Sequence, residues 1–499
     1  MIPTGLIRSC SMLAAIWAAS MGLAQQPFDL DPGFRTNILT SGVFNSQYVN
    51  SILPLPDGKV LVSGQIVFSG DDPFVLRSGA RLNQDGTRDG TFPDLVFMGG
   101  KITPWNNQFY CGGGQSVGRS NMDGSHDPTF DMNSSWPLVS IFQGGDYHVF
   151  PDGRVLVTGS HDMYDTLRGF VGPHQLVWFQ SNGYLDTTRV HRQCNGILWT
   201  LKEQPDGKFL IGSWCSWYDG HPVGPVFRIH PDGSLDTTFT APMEHASYTF
   251  TYDMYNYEDG RILVSGTYTS IPGVTDTVCV VRLHSDGGLD MSFHMASFRD
   301  TTTANRTPRV METLPLEDGR LIVVGDFDFV DGISRRGIVM LHADGTVDES
   351  VFDEAGCSPF YFGSQGENLN RVIAGITPAH DGGYYIYGGY VGYSDGTTND
   401  PTQRFVSRLY GLDVGVREHA QPRMEVYPNP SSTYVTVELE QMPAQGVLLL
   451  RDALGREVWQ QRVAGYQNTV PLHGLGGGVY LLELWAGGER RAAQRVVVQ

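Results

Sequence analysis

Basic residues are scarce in this 499-residue chain: 34 Lys and Arg stand against 53 Asp and Glu, a formal net charge of −19. Binding to a phosphate backbone draws its affinity from clustered cations. Apart from Arg490, Arg491 and Arg495 there is no basic block, which argues against nucleic acid as a partner. Charge of either sign is sparse at 17%, while 61 Gly, 28 Pro, 22 Tyr and 25 Phe favour short strands and tight turns over helices. The apolar stretch from Met12 to Met21 is too short for a permanent anchor, which needs about 20 apolar residues. With Arg8 ahead of it and Gly22-Leu23-Ala24 behind, it reads as a secretory signal over residues 1–24, leaving no transmembrane segment in the mature chain.

Chemistry-bearing motifs are also missing. There is no Gly-x-Ser-x-Gly elbow, His-Glu-x-x-His helix or phosphate-binding Gly-Lys-Ser/Thr loop, so no catalytic residue is assigned. Beyond the signal lie five cysteines, Cys111, Cys194, Cys215, Cys279 and Cys357, none in a Cys-x-x-Cys pair. That argues against a zinc or redox site, and the odd number leaves at least one thiol unpaired. At most one or two disulfides are expected, with no pairing fixed.

What is present is a phrase that recurs: Pro-Asp-Gly-Lys/Arg, three apolar residues, one small residue, Gly. It runs from Pro56 to Gly64, Pro151 to Gly159, Pro205 to Ser213, Glu258 to Gly266 and Glu317 to Gly325, more loosely from Asp381 to Gly388, and in degenerate form from Asn106 to Gly113. The seven lead residues are spaced by 49, 46, 54, 53, 59 and 63 positions, the period of four-stranded propeller blades. Asp-Gly between two strand-like runs predicts a type I′ hairpin turn, and the unbroken apolar triplet predicts a strand covered on both faces. A second phrase follows: an apolar-Arg-apolar strand, a turn ending in Asp-Gly, then Leu-Asp-x-x-Phe, as in Arg228 to Phe239 and Arg282 to Phe293. It occurs six times. The missing seventh copy is divided between the ends of the array, Leu30-Asp31-Pro32-Gly33-Phe34 and Ser407-Arg408-Leu409-Tyr410. A ring closed by the N-terminal segment follows, with no open sheet edge.

These paired phrases resemble the delta-60 repeat family of bacterial surface and secreted proteins, whose repeats imply a propeller and carry no catalytic residues to transfer. The resemblance covers roughly residues 29 to 410 and is weakest around Asn106. After Tyr410 the vocabulary changes. Residues 411–423 read as a linker, and short β-like runs over 424–499 fit a small sandwich. That segment resembles the type A C-terminal sorting domain of the type IX secretion system of the Bacteroidetes. The matching residues are Tyr427, Pro428, Asn429 and Pro430, then Asp452, Gly455 and Arg456, then Gly478 and Tyr480. The resemblance implies engagement of the type IX machinery, passage through the outer membrane, removal of the domain, and release or surface anchoring.

The expected fold is therefore all-β: a seven-bladed β-propeller over 25–410 followed by a small immunoglobulin-like β-sandwich. Most Asp residues recur at turns and are read as structural. Asp326 to Gly332 faintly resembles a calcium loop but lacks a closing Glu, as does Asp71-Asp72; calcium is the single cofactor candidate, and no metal ligands are assigned. Two aromatic clusters stand out, Trp199, Trp214, Trp217 and Tyr218, and Tyr384, Tyr385, Tyr387, Tyr390 and Tyr393. Trp217, Tyr218, Tyr390 and Tyr393 fall in hairpins after the repeat strands and are the expected exposed members, suited to a glycan or protein ligand. The functional expectation is an exported binding or structural module. The alternative is a polysaccharide-active enzyme, a glycoside hydrolase or lyase, with a carboxylate pair or a Tyr/His pair in the propeller channel.

Overall fold

The computed structural model describes residues 26–499 apart from 41–46, 73, 96–97, 114–115, 133–137, 247, 302–306, 358–371, 413–423, 440–441, 443–445, 453–454 and 487–488. The signal segment and most of the linker thus lie outside the described residues. Two compact units divide near residue 413. Neither contains an α-helix among the described residues.

Among the described residues the first unit holds seven antiparallel sheets, one per repeat, and two small accessory ones, Trp217–Tyr218 with His221–Pro222 and Phe298–Arg299 with Phe329–Val330 and Ile333–Ser334. In order along the chain, the inner, second and third strands are Tyr48–Pro54, Val60–Ile66 and Arg77–Leu82; Ile102–Trp105, Gln108–Gly113 and Ser116–Asn121; Val139–Val149, Val155–Asp165 and Phe170–Phe179; and Leu198–Glu203, Phe209–Ser213 and Val226–Ile229. The remaining three sheets hold Phe250–Asn256, Ile262–Tyr268 and Val278–Leu283; Arg309–Pro315, Leu321–Asp326 and Ile338–Leu341; and Val372–Pro378, Tyr384–Ser394 and Asn399–Leu409. Each apolar triplet lies in a second strand. Val60, Leu61 and Val62, or Leu321, Ile322 and Val323, are buried throughout because neighbouring blades cover both faces of the sheet.

The Asp-Gly turn differs from its expected type. Gly58 has φ +79° whereas Asp57 is not in the positive-φ region. The turn closes with Gly58 N–H donating to the Leu55 carbonyl at 2.9 Å, and the Asp57 carboxylate accepts from Lys59 N–H at 3.1 Å. This is a three-residue hairpin loop with Gly in the left-handed position rather than a type I′ turn. Asp is chosen for its side-chain acceptor, not for tolerance of positive φ.

The fourth strand of each blade is reduced to one antiparallel bridge, such as Leu82 with Arg88, Ile229 with Leu235 or Leu283 with Leu289. What holds that segment is the second phrase itself. Arg228 donates to Asp236 at 2.7 Å, Asp236 accepts from Thr238, and the Arg228 guanidinium lies 4.9 Å from the Phe239 ring centre. Arg282, Asp290, Ser292 and Phe293 repeat the arrangement, as do Arg119, Asp127, Thr129 and Phe130. The guanidinium also reaches the next blade, where Arg228 donates to the Ser285 carbonyl and Arg282 to that of Ala343. Asp236 and Asp290 sit well below the ordinary carboxylate range: these hydrogen bonds outweigh the opposing cost of burial, the largest single influence on each.

The seventh blade receives this segment from the N-terminus. Leu30 bridges Leu409, Asp31 N–H donates to the Arg408 carbonyl at 2.9 Å, and Arg408 ion-pairs with Asp31. Phe34 packs edge-on against Tyr385 at 5.3 Å. The inner strand of the first blade lies against that of the seventh, so the ring is closed.

The second unit is a two-sheet sandwich. Met424–Tyr427, Tyr434–Leu439 and Gln467–Pro471 form one sheet; Glu457–Arg462, Val447–Arg451, Gly478–Ala486 and Glu489–Val498 form the other. Alternation is clean along Tyr434–Leu439, where Val435, Val437 and Leu439 are buried and Tyr434 and Glu438 face out. Leu448, Leu450, Leu482, Leu484 and Val496 complete the core from the second sheet.

Candidate functional site at the propeller channel

Six of the seven inner strands carry a bulge at the same place, between Val49 and Ser51, Gly144 and Tyr147, Leu198 and Thr200, Thr251 and Asp253, Val310 and Glu312, and Ile373 and Gly375. The last residue of the first phrase makes room for it. A Cβ on Gly64, Gly266, Gly325 or Gly388 would collide with the carbonyl oxygen of Tyr48, Phe250, Arg309 or Val372, respectively. Bulges re-aim side chains. Here Asn50, Asp146, Trp199, Tyr252, Met311 and Ala374 all line one central cavity of about 460 Å³.

The residues beside the bulges tie the ring together. The Ser51 hydroxyl accepts from Ile102 N–H at 3.1 Å, Asp146 from Leu201 N–H at 3.0 Å, Asp253 from Thr313 N–H at 3.2 Å and Glu312 from Ile376 N–H at 3.2 Å. Each bond runs to the following blade and satisfies an amide at the edge of its inner strand. Asp146 also pairs with Lys101 at 2.9 Å. Among the described residues Asp253 and Glu312 have no such close cation, and Lys202 acts on both only at longer range. Burial, joined at Glu312 by the neighbouring Asp253 charge, raises both carboxyls above their ordinary values. Tyr387 donates its hydroxyl to Glu312 at 3.3 Å.

An aromatic path leads from the rim into this cavity. Trp214 is 55% exposed, its ring centre lies 6.1 Å from that of Phe250, and Phe250 stacks on channel-lining Tyr252 at 6.1 Å. Neither Phe250, Tyr252, Asp253 nor Glu312 stands out in the sequence, because only the shared bulge register brings these positions together. Aligning the residues six to nine places before each lead Asp is the signal that would have found them.

The expected exposed aromatics are corrected in three of four cases. Trp217 is 37% exposed, but Tyr218, Tyr390 and Tyr393 are fully buried. Trp217 and Tyr218 form one strand of a short hairpin, so alternation turns one outward and the other in, where the Tyr218 hydroxyl donates to the Gly233 carbonyl at 2.7 Å. Tyr390 and Tyr393 belong to the long strand Tyr384–Ser394, flanked on both edges by Gly356–Cys357 and Asn399–Leu409. The Asp residues of 326–332 are engaged separately: Asp326 with Arg309, Asp328 with Thr301, and Asp331 with His294 and Ser297. Asp71 pairs with Arg77 and Arg88. Among the described residues no group of three or more His, Cys, Asp or Glu is placed to hold a metal.

The sorting-motif residues hold the sandwich together. Asn429 clamps the last strand, donating to the Arg495 carbonyl at 2.6 Å and accepting from Val497 N–H at 2.8 Å. Gly455 takes φ +78° in the turn where the Asp452 carboxylate accepts from Arg456 N–H and Nε. The Tyr480 hydroxyl donates to the Gly476 carbonyl, within the Gly-rich turn before Gly478. Tyr427 and the Arg456 side chain remain exposed.

A closed ring of repeat-encoded blades followed by a small β-sandwich defines a β-propeller protein with an accessory domain. The family described as "Secretion system C-terminal sorting domain" matches residues 425–499, and the family described as "Domain of unknown function (DUF5122) beta-propeller" matches residues 204–239, 258–293 and 316–350. Residues 204–350 thus contain β-propeller repeats of the DUF5122, delta-60 type, and residues 425–499 a type IX sorting domain, which directs export to the cell surface or the medium. Among the described residues no helix is long and apolar enough to cross a membrane. No curated protein matches the chain. Among solved structures it is similar to PorZ, a surface component of the type IX secretion system of Porphyromonas gingivalis, at 12% identity over 91% of this chain and 70% of that one, with a TM-score of 0.38. The extracellular domain of BT4673 from B. thetaiotaomicron gives 10% identity, 96% and 59% coverage and a TM-score of 0.43, so this chain spans less than two thirds of its length. The Pan2 WD40 domain of Neurospora crassa gives 10%, 78%, 98% and 0.38, in the same order.

Proposed function

We propose that the exported propeller is a glycan-binding module whose ligand enters the central channel along the Trp214, Phe250 and Tyr252 path. The observation that carries this reading is the common bulge, which delivers side chains of complementary kinds to one cavity: aromatic faces at Trp199 and Tyr252, and carboxylates at Asp146, Asp253 and Glu312. Aromatic rings stack on sugar faces while carboxylates accept from sugar hydroxyls, and a cavity of this size falls in the range of small-ligand sites. Inter-blade hydrogen bonds hold the carboxylates in place before any ligand arrives, which lowers the cost of ordering them.

Titration calorimetry of the exported protein against oligosaccharides of neutral, acidic and amino sugars tests this. One ligand per chain is expected, weakened at least about tenfold, or ~1.4 kcal/mol, by Trp199→Ala and by Glu312→Gln with little change in melting. Saturation by none of the sugars, or binding indifferent to both substitutions, overturns the proposal.

One observation favours an enzyme instead. Asp253 and Glu312 sit together with raised proton affinity, and a carboxyl that keeps its proton towards neutral pH is what general acid catalysis requires. Release of reducing ends or unsaturated products, abolished by Glu312→Gln, would place the chain in that class.

A further inference from the structure

We propose that Cys194 and Cys215 are joined by a disulfide in the exported protein, a covalent clasp at the mouth of the fourth blade. Of the five cysteines, Cys111, Cys279 and Cys357 are buried in three different core clusters, whereas Cys194 and Cys215 share one. The segments that carry the pair run antiparallel and are locked together. Cys194 bridges Tyr218, and Trp214 N–H donates to the Ile197 carbonyl at 2.9 Å. The Asn195 side chain accepts from Ser216 N–H at 2.9 Å and from Trp217 N–H at 3.2 Å, and donates to the Ser216 hydroxyl at 2.8 Å. Gly196 allows the approach: a Cβ there would lie 3.1 Å from the Cys215 Cα and would collide with the Trp214 carbonyl oxygen. The two side chains lie in one buried cluster across this crossing, close enough for each thiol to act on the ionisation of the other.

A thiol pair in this arrangement stays reduced in a cytosol, but the export route passes through an oxidising periplasm. The oxidant is a protein disulfide of the thiol–disulfide exchange class. During folding the Cys215 thiolate attacks that disulfide and releases one of its sulfurs as a thiol. Cys194 then loses its proton and displaces the second sulfur, so that two protons and two electrons leave the chain and the donor ends as a dithiol. Both sulfurs are buried in the folded blade, so exchange takes place during folding and the finished bond is sheltered from reductants. The clasp fixes both aromatic approaches to the channel, since Cys215 directly follows Trp214 and Cys194 leads into the strand carrying Trp199.

The experiment compares the chain collected outside a type IX-competent host with the same chain made in a reducing cytosol. Each is denatured in alkylating reagent without reductant, digested with trypsin and weighed. From the exported protein, a cross-linked species of peptides 193–202 and 209–228 is expected, two hydrogen masses below their sum, with Cys111, Cys279 and Cys357 alkylated. In Cys194→Ser, Cys215 becomes alkylated. Alkylation of all five cysteines in the exported wild type, or a cross-link through any of the other three, overturns the proposal.

Discussion

Gly325 ends a phrase that the repeats share, and its role is steric rather than conformational. Its φ is ordinary, yet an added Cβ would meet the Arg309 carbonyl oxygen and come within 2.9 Å of the Val310 Cα. Backbone atoms cannot step aside as a flexible side chain can, so Gly325→Ala forces the bulge at Met311 to open. A loss of at least about 2 kcal/mol is expected from such overpacking, with Glu312 displaced from Ile376. Gly90→Ala, where nothing lies within 4 Å of the added Cβ, serves as the control. Equal melting temperatures for the two variants would sink the steric account. The glycine itself was legible as vocabulary in the sequence. Its reason was not, because the collision involves an inner strand that pairs with it only in the folded blade. The same limit explains Tyr218, Tyr390 and Tyr393: hairpin position was readable, but which neighbour covers a residue is a property of the assembled sheets.

At the scale of the blade, the two recurring phrases turn out to be halves of one device. The basic residue of the first meets the aspartate of the second: Lys59 with Asp89 at 2.8 Å, Lys208 with Asp236 at 3.0 Å and Arg320 with Asp348 at 3.2 Å. Co-occurrence was visible in the sequence, and so was the split seventh copy, because both depend on local residue order. The channel was not, since one residue from each of several blades contributes to it. Closure can be tested directly. Phe28, Leu30 and Phe34 are all buried against the seventh blade or its neighbours. Their burial is worth roughly 1.5–3 kcal/mol apiece. Deleting residues 26–36 also removes the Leu30 bridge and its flanking hydrogen bonds from the outer edge of Asn399–Leu409 and exposes that edge. Aggregation, or a drop in melting temperature well beyond that of a surface deletion, is expected. Monomeric elution with unchanged melting would mean that the ring closes by another route.

At the scale of the whole molecule, fold and destination are written in separate units. The propeller has its clusters of buried residues and the sandwich has another, centred on Val435, Val437, Leu448, Leu482 and Val496. Each sheet of the sandwich is made of its own strands, and Asn429 with Ser431 fastens the last strand. A unit with its own core folds by itself when few contacts cross its boundary. The expectation is that a chain ending at Arg423 keeps the melting temperature of the propeller but stays in the periplasm of a type IX-competent host. Residues 411–499 fused to an unrelated periplasmic protein should carry it to the surface, and Asn429→Ala in that fusion should reduce export by loosening the terminal strand. Immunoblots of surface, medium and periplasmic fractions give the readout. Surface delivery of the truncated chain would show that the export signal lies in the propeller and leave the sandwich with a structural role alone.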